Sequence, residues 1–170
     1  MLTRTSSKVE VFLQPGDYFV GDASCRMRTL LGSCVSITLW HPGLRVGAMS
    51  HFILANGGRP RTSLDGRYGE DAMALMLRDL KRAGVEAEQC HAKIFGGGDM
   101  FPGQTRNDVL KIGERNGEAA RVLLRAHKIK LVSESLFGVG HRQIVFDVST
   151  GHVWARQVRP VDGGIRDNRN

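Results

Sequence analysis

Residues 29–51 read TLLGSCVSITLWHPGLRVGAMSH, and the pattern inside them decides how the rest of the chain is to be folded. Val35, Ile37 and Leu39 alternate with Ser36, Thr38 and Trp40, the period of a half-buried strand. His41-Pro42-Gly43 supplies turn chemistry, and Val46-Gly47-Ala48-Met49-Ser50-His51 brings the chain back as a second strand. The segment predicts a β-hairpin entered through a tight Gly32-Ser33-Cys34 corner. In such a hairpin the end of the second strand returns toward the start of the first, so Cys34 and His51 become candidate spatial neighbours.

A thiol beside an imidazole has a chemical meaning. Free cysteine is mostly protonated at neutral pH, and an imidazole within hydrogen-bond reach takes the proton and makes a nucleophile. Gly32 lets the backbone turn sharply, and N–H groups at such a corner can point at a developing oxyanion. Spacing alone leaves a second reading open, in which Cys34 fills space in a core and His51 is a satisfied core or edge residue.

Outward from the hairpin, residues 24–31 place Cys25, Met27, Thr29 and Leu31 on one strand face and deliver the chain to Gly32. Residues 8–14 alternate Val9, Val11 and Leu13 as another strand, stopped by Pro15-Gly16-Asp17, while residues 18–22 are ambiguous. After His51 comes an apolar Phe52-Ile53-Leu54. Residues 55–69, with Gly57-Gly58, Pro60 and Asp65-Gly66, then form a long loop, either a substrate flap or a plain connection.

Residues 70–83 predict a helix, with Glu70 and Asp71 in its first turn and an inward stripe of Met73, Met76, Leu77 and Leu80. A second helix is expected over residues 117–127, capped by Asn116. Strands are expected at residues 90–95, 130–137, 143–148 and 153–158. Cys90 and His91 make no second thiol–imidazole pair, because neighbours on a strand face opposite ways. These elements predict an α+β fold, a layered sandwich of mixed, largely antiparallel sheets with two main helices. One domain is expected over residues 1–170, with frayed ends at about 1–7 and 162–170.

The 170 residues are 41% apolar, enough for a real core, and show no internal repeat. Three cysteines, Cys25, Cys34 and Cys90, are an odd number without C-x-x-C spacing, which argues against a disulfide framework and a zinc knuckle. The amino end lacks an apolar stretch of signal-peptide length and no run approaches a membrane span, so a soluble cytoplasmic protein without membrane insertion is expected. The net charge of +7 admits a nucleic-acid-binding module as a rival function. Its basic residues, among them Arg59, Arg61, Arg121, Lys128, Arg156 and Arg166, are interspersed with acids, and aromatics for base stacking are few, so a solvated basic surface and no nucleic acid are expected. Gly96-Gly97-Gly98 resembles a phosphate loop only superficially: no Lys-Ser or Lys-Thr follows, and Phe101 stands where a dinucleotide fingerprint has its third glycine. No cofactor or metal is called for.

Four blocks in order, Thr29-Leu30-Leu31-Gly32-Ser33-Cys34-Val35, Met49-Ser50-His51-Phe52-Ile53-Leu54, Lys93-Ile94-Phe95-Gly96-Gly97-Gly98-Asp99-Met100 and Ile112-Gly113-Glu114-Arg115-Asn116, resemble the signature blocks of the CheD family of chemoreceptor glutamine deamidases. The resemblance spans roughly residues 9–158. It implies a cytoplasmic cysteine hydrolase that converts glutamines of methyl-accepting chemoreceptors to glutamates in bacterial chemotaxis. The implied fold is similar to that of cytotoxic necrotizing factor toxins. It implies Cys34 as nucleophile, His51 as base and Thr29 as the residue that orients the histidine. It makes the glycine run at 96–98 structural, and it admits a CheC-type phosphatase as partner, hence also a non-catalytic adaptor as an alternative. The stretch Ser135-Leu136-Phe137-Gly138-Val139-Gly140-His141-Arg142 departs from the Asp-Gly-Gly type turn that many relatives carry before a Gly-Arg pair.

Overall fold

The computed structural model describes residues 7–58, 62–103 and 107–160. Most of the expected frayed ends, and the Arg59-Pro60-Arg61 part of the long loop, lie outside the described residues. One sheet contains β1 (Val9–Phe12), β3 (Cys25–Leu31), β8 (His141–Asp147) and β9 (Val153–Val158), side by side in the order β1-β3-β8-β9. The other contains β2 (Tyr18–Gly21), β5 (Val46–Ser50), β4 (Val35–His41), β6 (His91–Gly96) and β7 (Lys130–Leu136), in the order β2-β5-β4-β6-β7. Among these nine strands only β1–β3 and β6–β7 pair in parallel; the other ladders between them are antiparallel. Helices α1 (Gly69–Arg82) and α2 (Asn107–Ala126) pack on the five-stranded sheet, which gives the expected α+β layered sandwich.

The layers follow from where the apolar side chains go. Val35, Ile37, Leu39, Phe52 and Ile94 on the five-stranded sheet meet Met73, Met76, Leu80, Ala120 and Leu124 of the helices in one fully buried cluster. Met27, Leu31, Met49, Phe95, Ile144 and Phe146 fill a second cluster between the sheets. Burying one such side chain contributes about 1.5–3 kcal/mol, so the two clusters dominate the stability of the fold.

Two expectations are corrected here. The strand at 35–41 was expected to be half buried, yet Ser36 and Thr38 are as enclosed as Val35 and Ile37. β4 is flanked by β5 and β6 and covered by helices on one face and by the four-stranded sheet on the other, so no side of it meets solvent until Trp40. The second helix begins at Asn107, not after an Asn116 cap, and Asn116 lies buried in its middle. Gly113 and Gly117, on either side of Asn116 in this helix, serve close packing: a side chain at Gly113 would meet the Gly97 carbonyl at 2.5 Å, and one at Gly117 the Phe137 ring at 2.5 Å. The ambiguous stretch at 18–22 is strand β2, paired with β5.

Candidate active site

The hairpin at 35–50 forms as its alternation predicts, with Thr38 opposite Met49 and Leu39 opposite Ala48. The ladder is extended by a bridge in which Val35 and Phe52 exchange both backbone hydrogen bonds, at 3.1 and 3.0 Å. Continuing that register sets Cys34 across from Ile53, two residues beyond His51. Residues opposite one another, and residues two apart on a strand, share a face. Cys34 and His51 therefore lie diagonally on one face, the face turned toward the four-stranded sheet, where Cys34 packs against the inter-sheet cluster.

From the opposing sheet, Thr29 on β3 reaches in. It shares a strand face with buried Met27 and Leu31 and alternates with exposed Arg28 and Leu30, so its side chain points inward, where it is 3% exposed. Thr29 Oγ1 lies 2.7 Å from His51 Nδ1 and donates to the Leu13 carbonyl at 2.8 Å. A hydroxyl has one proton, and a carbonyl only accepts. The proton Thr29 gives to Leu13 cannot also go to His51, so the Thr29 oxygen accepts and the proton on the neutral ring sits on Nδ1. Nε2 is left with its lone pair free, the form a base requires.

Burial sets the resting charges of the pair. His51, 2% exposed, has its pKa lowered below the ordinary 6.5 by desolvation, with the Leu13 carbonyl and the charge of Asp17 opposing the fall. The Cys34 thiol is pushed above its ordinary 9.0 by desolvation, opposed by its own backbone N–H. Both shifts favour neutral thiol and neutral imidazole at neutral pH. Among the described residues no hydrogen bond joins Cys34 Sγ to His51, so the structure brings Thr29 and His51 into contact and leaves Cys34 beside them, half buried. Such thiol–base contacts are often longer before substrate arrives. The other thiols sit elsewhere: Cys25 in the inter-sheet core and Cys90 under the helices, the latter pushed up to about 11 by burial. His91 turns to an edge contact with Trp40 instead.

The corner that presents Cys34 is clamped from behind. Gly97 N–H donates to the Cys34 carbonyl at 3.0 Å and Gly98 N–H to the Gly32 carbonyl at 2.9 Å. Gly96 and Gly97 have φ of 115° and 65°, and a side chain on Gly96 would fall 2.2 Å from the Cys34 oxygen, so this run tolerates only glycine. From the helix side, Asn116 Nδ2 donates to the Ser33 carbonyl at 3.1 Å and to the Ile53 carbonyl at 2.7 Å. One side-chain amide thus ties the residue before Cys34 to the strand extension after His51. Reading Asn116 as a helix cap missed this tie. The available signal was its place four residues before Ala120 and eight before Leu124, on the helix face that turns inward.

A family model described as CheD chemotactic sensory transduction matches residues 54–157. The chain is also 59% identical over 162 residues, 94% of each chain, to a protein named probable chemoreceptor glutamine deamidase CheD 2 from Albidiferax ferrireducens. The chain belongs to the CheD family. A CheD 3 of the same name from Dechloromonas aromatica is 44% identical over 159 residues, 93% of each chain. A CheD 1 from Chromobacterium violaceum is 44% identical over 148 residues, 86% of this chain and 77% of its own. Thr29, Cys34 and His51 precede the segment matched by the CheD family model, so their geometry is an independent line of argument.

Proposed function

We propose that this chain is a cysteine-dependent deamidase that converts glutamine side chains of chemoreceptors to glutamates and releases ammonia. The names of its relatives supply the reaction and the substrate. The observation that carries the chemistry is the Thr29–His51 hydrogen bond, which keeps the proton on Nδ1 and leaves Nε2 as the unprotonated ring nitrogen.

His51 Nε2 takes the Cys34 proton as the sulfur attacks the side-chain carbonyl carbon of the glutamine. The carbonyl oxygen becomes an oxyanion, which backbone N–H groups near the Gly32 corner stabilise. The imidazolium returns its proton to the nitrogen, the C–N bond breaks, and ammonia leaves a thioester. Water enters, His51 removes a proton from it, the hydroxide attacks the thioester carbonyl, and the C–S bond breaks to give glutamate and the thiol. Because neutral partners rest in the site, the proton moves during the attack and not before it. The three free cysteines fit a reducing cytoplasm, where a thiol nucleophile stays reduced.

Receptor cytoplasmic fragments incubated with the protein and digested should show glutamine-to-glutamate conversion by mass spectrometry. Cys34→Ala and His51→Ala should each lower the rate by at least about 1,000-fold, because nucleophile and base act as a unit. Full conversion by Cys34→Ala would end the proposal. Receptor or CheC-type phosphatase binding with no ammonia release by the wild type would favour a non-catalytic adaptor instead.

A further inference from the structure

Arg142 is a buried cation that the reaction above does not use. It sits on β8 opposite Leu31 of β3 and Gln157 of β9, on the inward face with Ile144 and Phe146, and is 2% exposed. Its Nε donates to Ser135 Oγ at 3.1 Å, one Nη to the Gly96 carbonyl at 3.3 Å, and the other Nη to the Phe137 carbonyl. Among the described residues no carboxylate lies within ion-pair distance of it. The two acids closest to its acceptors along the chain are engaged elsewhere: Glu134 pairs with Arg121, and Asp99 accepts the Phe101 N–H. A guanidinium enclosed without a counter-charge is expensive, and burial works against its charge. A core that needed only packing would use an apolar side chain there.

What the guanidinium holds is the back of the Cys34 corner. The Gly96 carbonyl that accepts from Arg142 and the Gly97 N–H that donates to the Cys34 carbonyl belong to a single peptide unit. The chain of contacts runs from Arg142 through that peptide to Cys34, and a cation at one end of a peptide polarises it and strengthens the donor at the other. Gly98, whose side-chain position lies 3.6 Å from the same Nη1, donates to Gly32 on the other side of the thiol. Three acceptors, each met by a different nitrogen, match the planar fork of arginine, and the single nitrogen of an ammonium does not reproduce that spread.

We propose that Arg142 is a positioning residue for Cys34: through the Gly96–Gly97 peptide it fixes the corner that aims the thiol at the substrate amide. The inference rests on Cys34 being the nucleophile. It concerns how the sulfur is held and not how it reacts, so its signature is a loss of turnover at unchanged affinity.

The test uses the full chain with a receptor cytoplasmic fragment, measuring kcat and KM for ammonia release, the rate of Cys34 alkylation by iodoacetamide, and the melting temperature. Arg142→Lys should lower kcat by about 10- to 100-fold, the scale of a misplaced reacting group, with KM within about twofold and alkylation slowed or redirected. Arg142→Met, which leaves carbonyl oxygens unserved, should be worse, so that lysine rescues in part. Should both misfold, Ser135→Ala removes one anchor of the fork and should lower kcat by about 2- to 10-fold with the fold intact. Folded Arg142→Lys or Ser135→Ala protein with wild-type kcat and thiol reactivity would overturn the inference, as would a lowered melting temperature with kcat unchanged. Cys34→Ala run alongside separates the two readings. If it still turns over, the nucleophile assignment fails; if it is inactive while the folded Arg142 variants keep full kcat, only the positioning role fails.

Discussion

At one end of the space between the sheets stand Thr29, Cys34, His51 and Arg142, among glycine turns. At the other, Trp40 lies against Gly151 and donates to the Val148 carbonyl at 2.8 Å, Lys93 donates to the Gly151 carbonyl at 3.0 Å, and Asp147 gathers Lys8, Arg26 and Ser149. At that far end the Asp147 carboxylate, the Lys93 ammonium and the Trp40 indole each have a partner, although Arg26 Nε is buried without one among the described residues. At the Cys34 end, His51 keeps one ring nitrogen unprotonated, the thiol is half buried without a hydrogen bond to His51, and Arg142 has no counter-charge among the described residues. Ser36, on the same face as Cys34, carries a buried hydroxyl with no partner among them. Groups left incompletely satisfied in a native interior ask for a functional account, and the larger share of them at the Cys34 end supports the site proposed there.

The contrast is broken most decisively through Thr29. Thr29→Val keeps the shape but removes the oxygen that fixes the ring, and turnover should fall by about 10- to 100-fold, part of what a positioned base contributes. Thr29→Ser should recover most of it. At the far end Lys93→Met should leave turnover within about twofold, since no reacting group touches it and surface or edge changes are usually small. Equal losses of ammonia release at the two ends would show that the distinction is one of stability alone.

The same contrast explains what could be read before folding. The strand alternation gave the hairpin and the inward face of Thr29, because a period of two is local information. The diagonal placement of Cys34 and His51 also follows from the turn, as register in a hairpin is set by nearby residues. The partners of Asn116 and Arg142 could not be found in that way. Their acceptors lie 83 and 63 residues away for Asn116 and 46 residues away for one bond of Arg142, and such contacts exist only once the layers meet. The two helix glycines belong to the same class: Gly113 and Gly117 are close-packing sites against Gly97 and Phe137, contacts that exist only in the folded chain.

A finer comparison sets Cys34 against its own histidine. With the thiol raised above 9.0 and the imidazole lowered below 6.5, each by burial, an ion pair is not the resting state. The rate of iodoacetamide attack on Cys34 should keep climbing with pH past 9, while kcat/KM for deamidation should rise with a midpoint below the ordinary 6.5, as His51 loses its proton. Cys90, up at about 11 and buried, should stay unmodified through the same range. An alkylation plateau below pH 7 would mean a preformed thiolate–imidazolium pair and would overturn the order of proton movement argued above.

The smallest effect belongs to the far end, and it concerns stability only. Burial acts to raise the pKa of Asp147, but hydrogen bonds from Lys8 at 2.5 Å and from the Ser149 hydroxyl and N–H at 2.6 and 2.9 Å outweigh it, and the carboxyl is held well below the ordinary 3.8. A depressed carboxyl binds its proton later in the folded chain than in the unfolded one. Its contribution is therefore complete above about pH 4 and is lost as the pH falls through the folded value. Asp147→Asn should cost about 1–2 kcal/mol at pH 7, allowing for the partial exposure of Lys8, with turnover unchanged. Thermal melts of the two proteins should converge as the pH drops from 5 to 2, because protonation then does to the wild type what the substitution did. A gap that stays constant over that range would place the cost of the substitution in packing, and Asp147 would no longer be the charged counterpart to the uncompensated Arg142.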